Sequence, residues 1–141
     1  MKLDQKKIDL LYQKAKDAMQ NSYSPYSNFK VGAALLTKDG KIYTGTNIEN
    51  ASYGLSMCAE RTAIFKAVSE GEKNFEALVV IGETDEPISP CGACRQVIAE
   101  FGVENIILTN LKKDLKIMTV EELLPYGFSG KDLNDQNSDN R

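Results

Sequence analysis

The sequence predicts a three-layer α/β/α domain built around a five-stranded mixed β-sheet. Three features carry this reading. The chain opens on an amphipathic helical pattern, continues into two strand-like runs joined by Asp39-Gly40, and then alternates helix with buried strand. An Asp-Gly between apolar runs marks a tight antiparallel hairpin, whereas strands alternating with helices mark parallel pairing, so the sheet is mixed. A chain of 141 residues suits one domain and buries enough surface to fold without a disulfide framework.

Residues 4–20 place Ile8, Leu11, Tyr12, Ala15, Ala18 and Met19 at helical spacing, giving one buried face. Residues 21–28, Asn-Ser-Tyr-Ser-Pro-Tyr-Ser-Asn, are a loop by composition. Residues 31–37 and 41–46 form the hairpin strands, and 47–57 read as a loop. Residues 58–69 carry Ala59, Thr62, Ala63, Phe65, Ala67 and Val68 and read as a helix, with Gly71 just past its end as a stop. Residues 77–82 are apolar throughout, as expected of a strand covered on both faces. A loop over 84–90 ends in Ser89-Pro90, and a second short helix follows over 91–101, closed by Gly102. Residues 105–109 read as another buried strand and 115–118 as an edge strand. Thr119 and Glu122 have capping-box spacing and open a short helix that ends near Pro125. Residues 131–141 are polar and charged, the pattern of a disordered tail.

Composition then narrows the chemistry. A net charge of −3 leaves no basic excess to neutralise a phosphate backbone, which argues against a nucleic-acid binder. No apolar stretch after Met1 is long enough for a signal peptide or a membrane span, so the expected location is the cytoplasm. Three cysteines do not make a disulfide scaffold; in a reducing compartment they are free thiols or metal ligands. The chain has no histidine. That excludes Ser-His-Asp and Cys-His nucleophile pairs and every histidine-liganded zinc site. Any proton shuttle must then be Glu, Asp, Lys, Tyr or a metal-bound water.

Within those bounds two segments stand out, Met57-Cys58-Ala59-Glu60-Arg61 and Ser89-Pro90-Cys91-Gly92-Ala93-Cys94-Arg95. In each, cysteine lies at or near a helix start, where the partial positive charge favours the thiolate that binds metal. Cys91 and Cys94 are one helical turn apart, and Cys58 can supply a third ligand. Three protein ligands leave one tetrahedral position open, as a catalytic zinc site does and a closed structural site does not. Three thiolates donate more charge than three imidazoles; Arg61 and Arg95 could offset this by hydrogen bonding to the sulfurs. Glu60 can reach a metal-bound water without being a ligand and serve as general acid and base. A Cys-x-x-Cys pair alone also fits a structural zinc knuckle or a redox pair. Redox use is disfavoured because Pro90 precedes the cysteines. A non-catalytic zinc module closed by a carboxylate from Asp85-Glu86 stands as the second reading.

Cys-Ala-Glu followed, after a strand, by Pro-Cys-Gly-Ala-Cys-Arg resembles the cytidine deaminase family, in its small homotetrameric three-cysteine form. Residues 23–34, 46–53 and 121–128 extend the similarity over nearly the whole folded chain. The resemblance implies a single cytidine deaminase-like catalytic domain over residues 1–130. It implies one Zn2+ per subunit on Cys58, Cys91 and Cys94, with Glu60 moving protons from water to ring N3 and helping ammonia leave as hydroxide attacks C4. Phe29 would pack on the pyrimidine face, Asn47 and Glu49 would bond the ribose 3′-hydroxyl, and the Ala59 backbone would read the pyrimidine edge. Ala51 and Tyr53 would reach toward a neighbouring subunit's site, and Phe128 would close that site over the base. On pattern alone Phe29 would be a core aromatic and Asn47 and Glu49 loop polar residues. The implied reaction converts cytidine and deoxycytidine to uridine and deoxyuridine in pyrimidine salvage. A related aminopyrimidine nucleoside such as blasticidin S is the competing substrate. A carboxylate on the 3′-hydroxyl leaves no room for a 3′-phosphodiester, which disfavours polynucleotide substrates.

Overall fold

A computed structural model describes residues 3–133. Helix α1 (Gln5–Met19) begins where the Asp4 carboxylate accepts the Lys7 N–H at 2.9 Å. It turns Leu11, Tyr12, Ala15 and Met19 inward, as its spacing requires. Strands β1 (Val31–Thr37) and β2 (Ile42–Thr46) form the expected hairpin, with Gly32 opposite Thr46 and Leu36 opposite Ile42. Helix α2 (Ala59–Ser69), strand β3 (Phe75–Gly82), helix α3 (Gly92–Glu100) and strand β4 (Asn105–Asn110) follow. Strand β5 (Leu115–Met118) and the short helix α4 (Val120–Leu123) complete the order, and the Thr119–Glu122 capping box is formed.

The sheet order is β2-β1-β3-β4-β5. β3 and β4 are parallel, with Leu78 beside Ile106, and the other neighbours are antiparallel. The sheet is therefore five-stranded and mixed, as the sequence predicts. Alternation along each strand splits the core in two. Ala34, Leu36, Val79, Ile81 and Ile107 pack under α1. Ala33, Leu35, Leu78, Val80 and Ile106 pack with Ala63, Ile64 and Ala67 of α2, Ile98 of α3 and Leu123 of α4.

Some boundaries differ from the sequence reading. β3 starts at Phe75 rather than at residue 77, because Phe75 is buried and pairs with Thr37 of β1. Ala18 is only half-buried and Phe65 is exposed, although both fit helical spacing. The stretch 47–57 is not wholly irregular: Ile48 bridges Tyr23 on one side and Met57 on the other, and Tyr53–Leu55 form a single 3-10 turn. Residues 131–133 of the expected tail continue a helical turn from Gly130; the rest of that tail lies outside the described residues. Among the described residues no helix is long and apolar enough to cross a membrane.

One close approach sets the position of α2. A Cβ on Gly45 of β2 would stand 2.5 Å from both the Ala59 carbonyl oxygen and the Ala63 nitrogen. Gly45→Ala must therefore push the start of α2 off the sheet. The expected loss is about 1–3 kcal/mol of stability, read as a lower urea midpoint with an unchanged slope. Zinc affinity should fall with it, because Cys58 directly precedes the displaced turn.

Candidate active site

The two helices that flank β3 in sequence bring the cysteines together. Cys58 is the N-cap of α2 (φ −79°, ψ 155°) and Cys91 the N-cap of α3 (φ −70°, ψ 168°); neither side chain caps its own helix. Both sulfurs are thus left free at helix N-termini, where partial positive charge favours thiolates. Cys94 lies one turn further along α3 and is fully buried. The three sulfurs lie within 4.8 Å of one another, and those of Cys58 and Cys91 are 3.7 Å apart. Tetrahedral zinc with bonds of about 2.3 Å holds its sulfurs roughly 3.8 Å apart. The set fits zinc in both chemistry and spacing, and it leaves the fourth position open. Among the described residues the cluster holds these three cysteines alone. Asp85 and Glu86 are exposed and outside it. Among the described residues, the closed structural site considered from sequence therefore has no fourth ligand.

The thiols hold their protons unequally. A hydrogen bond from the Cys94 thiol, helped by Arg61, draws the Cys58 thiol well below its ordinary pKa, while the same hydrogen bond and burial push Cys94 up. Without a cation the pair therefore favours one thiolate, on Cys58. Arg61 Nη2 donates to the Cys58 sulfur at 3.4 Å, and that bond raises its own pKa further. Its Nε is buried without a hydrogen-bond partner among the described residues. Arg61 thus makes the sulfur contact expected of it. Arg95 does not. It donates from Nε to the Pro90 carbonyl (2.9 Å), from Nη1 to the Leu123 carbonyl (2.6 Å) and from Nη2 to the Ser89 hydroxyl (2.7 Å). Its guanidinium is spent on tying the approach to α3 against the end of α4, which fixes Cys91 through the backbone.

Glu60, in the first turn of α2, is 4% exposed. Burial raises its carboxyl to about 6, opposed by its own backbone N–H. A carboxyl with that pKa beside the cysteine cluster can both accept and donate a proton near neutrality.

The cluster opens into a cavity of about 400 Å³ lined by Phe29, Asn47, Glu49, Tyr53, Cys58, Ala59, Glu60, Arg61 and Cys91. A volume of this size suits a nucleoside-sized molecule. Phe29 lies in the loop before β1 and is 39% exposed, on the cavity rather than in the core. Asn47 and Glu49 follow β2 on either side of Ile48, so they share a face. The Asn47 side chain accepts the Val31 N–H at 3.0 Å and donates to the Phe29 carbonyl at 2.7 Å. Glu49 accepts from the N–H groups of Tyr26 and Ser27 and from the Ser27 hydroxyl, which hold its carboxyl below the usual range. Tyr53 is 76% exposed at the mouth, its ring edge-on to Tyr26. Ala51 and Phe128 are exposed and do not line this cavity; the Phe128 carbonyl accepts from Gln96 at 2.7 Å. Sequence reasoning missed five further lining residues: Val31, Ser56, Met57, Ile88 and Ser89. Met57 and Ser89 open the two cysteine segments singled out from sequence, and Val31 is two residues from Phe29, so membership of or proximity to those segments was the available signal.

Comparison with known proteins agrees with this geometry. The family described as "Cytidine and deoxycytidylate deaminase zinc-binding region" matches residues 5–110. A cytidine deaminase of Sporosarcina psychrophila is 56% identical over 128 residues, covering 89% of this chain and 94% of its own. A cytidine deaminase of Halalkalibacterium halodurans is 52% identical over 128 residues, covering 89% of this chain and 97% of its own. The crystal structure of cytidine deaminase from Burkholderia pseudomallei superposes with a TM-score of 0.83 at 52% identity, covering 85% of this chain and 98% of that one. With three sulfurs at zinc spacing, a buried carboxyl beside them and these likenesses over most of its length, the chain belongs to the cytidine and deoxycytidylate deaminase family.

Proposed function

We propose that this chain hydrolyses cytidine and deoxycytidine to uridine and deoxyuridine with release of ammonia. The observation that carries the reading is the open three-sulfur cluster with the buried Glu60 carboxyl beside it, at the floor of a nucleoside-sized cavity. Zinc held by Cys58, Cys91 and Cys94 supplies a Lewis acid that makes water acidic enough to attack near neutral pH. Glu60 accepts a proton from the attacking water and delivers it to ring N3 as the C4–O bond forms. Glu60 then takes the second water proton and hands it to the amino group, which leaves as ammonia when the C4–N bond breaks. Phe29 packs against the pyrimidine face and the Ala59 backbone reads its edge, which holds C4 over the cluster. Asn47 and Glu49 bind the ribose 3′-hydroxyl. Arg61 balances the charge of the Cys58 thiolate; Arg95 keeps Cys91 in place through its backbone contacts.

The catalytic domain spans residues 1–130, and the chain works as a homotetramer in cytoplasmic pyrimidine salvage. Exposed Tyr23, Tyr26, Ile48, Tyr53 and Leu55, on the same two segments as Phe29, Asn47 and Glu49, support association. Ala51 and Phe128, exposed and outside the lining of their own cavity, serve a neighbour's in this reading. Two sulfurs 3.7 Å apart that must stay reduced to hold a metal favour a reducing compartment.

A panel of cytidine, deoxycytidine, cytosine, the monophosphates and blasticidin S, given to zinc-loaded protein, tests the substrate class. Cytidine and deoxycytidine should be consumed fastest, seen as loss of cytosine absorbance; turnover of neither would refute the proposal. Sedimentation should show a species of four chains of 15.6 kDa. Phe128→Ala should lower activity without loss of zinc.

A further inference from the structure

The loop that precedes β1 does more than close one wall of the cavity. The Ser27 hydroxyl donates to Glu49 Oε2 and accepts the Phe29 N–H at 3.0 Å. Asn28, between them, has a left-handed backbone (φ 57°), and its N–H donates to the Ser24 carbonyl at 2.9 Å. This turn is what brings the hydroxyl and the Phe29 N–H together. Glu49 Oε1 meanwhile takes the N–H groups of Tyr26 and Ser27, at 3.0 and 3.1 Å.

Counting lone pairs shows what is left over. A carboxylate oxygen offers about two acceptor positions. Both on Oε1 are filled by backbone; on Oε2 one is filled by Ser27 and one remains. Asn47 is similarly spent: its oxygen accepts from Val31 N–H and the Ser22 hydroxyl, and one of its two N–H donors goes to the Phe29 carbonyl. One acceptor on Glu49 and one donor on Asn47 remain, and both residues line the cavity. Together they match one hydroxyl group, which donates once and accepts. The direction of the free acceptor depends on which position of Oε2 the Ser27 hydroxyl occupies.

We propose that Ser27 is a positioning residue, which aims the free Oε2 lone pair of Glu49 at the sugar hydroxyl and so sets the preference for substrates that carry it. The inference rests on the reading of Glu49 as the ribose contact. Ser27 is exposed and the backbone N–H groups of Tyr26 and Ser27 that hold Glu49 do not depend on its side chain, so Ser27→Ala removes the two hydrogen bonds of the hydroxyl, to Glu49 and from Phe29 N–H, and leaves Glu49 held by backbone.

The test crosses enzyme variants with two substrates, cytidine and 3′-deoxycytidine. Ser27→Ala should raise KM for cytidine about tenfold, as expected for one charge-assisted hydrogen bond, with kcat held within about twofold. It should leave KM for 3′-deoxycytidine unchanged, because that substrate lacks the 3′-hydroxyl that Glu49 accepts from. Ser27→Thr should restore KM to within about twofold of the parent. Equal losses on both substrates, or no loss on either, would overturn the proposal. Glu49→Gln separates the two levels. If it discriminates between the substrates while Ser27→Ala does not, the positioning role fails and the ribose contact stands. If Glu49→Gln affects both equally, the ribose contact itself is wrong.

Discussion

Glu60→Gln is expected to lower kcat for cytidine about a thousandfold or more while zinc stays bound. General acid-base catalysis by a placed side chain contributes about 10² to 10⁴ in rate, and Glu60 is assigned every proton transfer in the reaction. Gln has the same shape and fills the same buried position at the start of α2, so the fold and the three sulfurs are undisturbed. It cannot accept a proton from water. The loss should fall in kcat rather than KM, since the ground-state contacts are made elsewhere in the cavity. The stability of the zinc-free protein offers a second check. The Glu60 carboxyl is raised from 4.5 to about 6 by burial, so the folded state holds its proton more tightly than the unfolded state does. That stabilisation is complete below about pH 4.5 and is lost as pH rises through about 6. Glu60→Gln should remove this fall, measured by urea unfolding across that range.

Cys91→Ala is expected to abolish both zinc retention and turnover. Even partners outside the ligand set cost about 10- to 100-fold in metal affinity when removed, and Cys91 is one of the three ligands the cluster has among the described residues. Metal analysis after dialysis should drop from about one zinc per chain to under about a tenth, given a loss beyond that range. Activity should fall to background and not return on adding zinc at micromolar level. Cys91 is exposed and is an N-cap that makes no capping hydrogen bond, so its loss should leave α3 folded. Chelating zinc from the parent should lower its melting temperature, because a ligand bound only by the native state stabilises it. Re-addition should release protons, since zinc binds thiolates and burial with the Cys58 hydrogen bond pushes the Cys94 thiol up. Apparent zinc affinity should therefore rise with pH.

The secondary structure and the metal ligands were legible for local reasons. Helical spacing from Ile8 to Met19, the Asp39-Gly40 turn and the Thr119–Glu122 box are all written within a few residues. So is the cysteine spacing, because Cys91 and Cys94 share one helical turn. What the sequence could not show depends on partners far along the chain. Asn47 is held by the backbone of Phe29 and Val31, and Glu49 by the loop at Tyr26 and Ser27. Those contacts exist only once Ile48 bridges Tyr23. Arg95 was expected on sulfur from its position beside Cys94, yet the Leu123 carbonyl, 28 residues on, takes one of its donors. Phe29 followed the same logic: its apolar character fits a core, and only the turn at Asn28 brings it to the cavity wall.

X-ray absorption at the zinc edge of the purified protein tests the central claim most directly. Three sulfurs at about 2.3 Å and one oxygen or nitrogen at about 2.0 Å are predicted, as befits an open three-cysteine site. A shell containing fewer than three sulfurs, or three sulfurs with a protein carboxylate closing the fourth position, would contradict it.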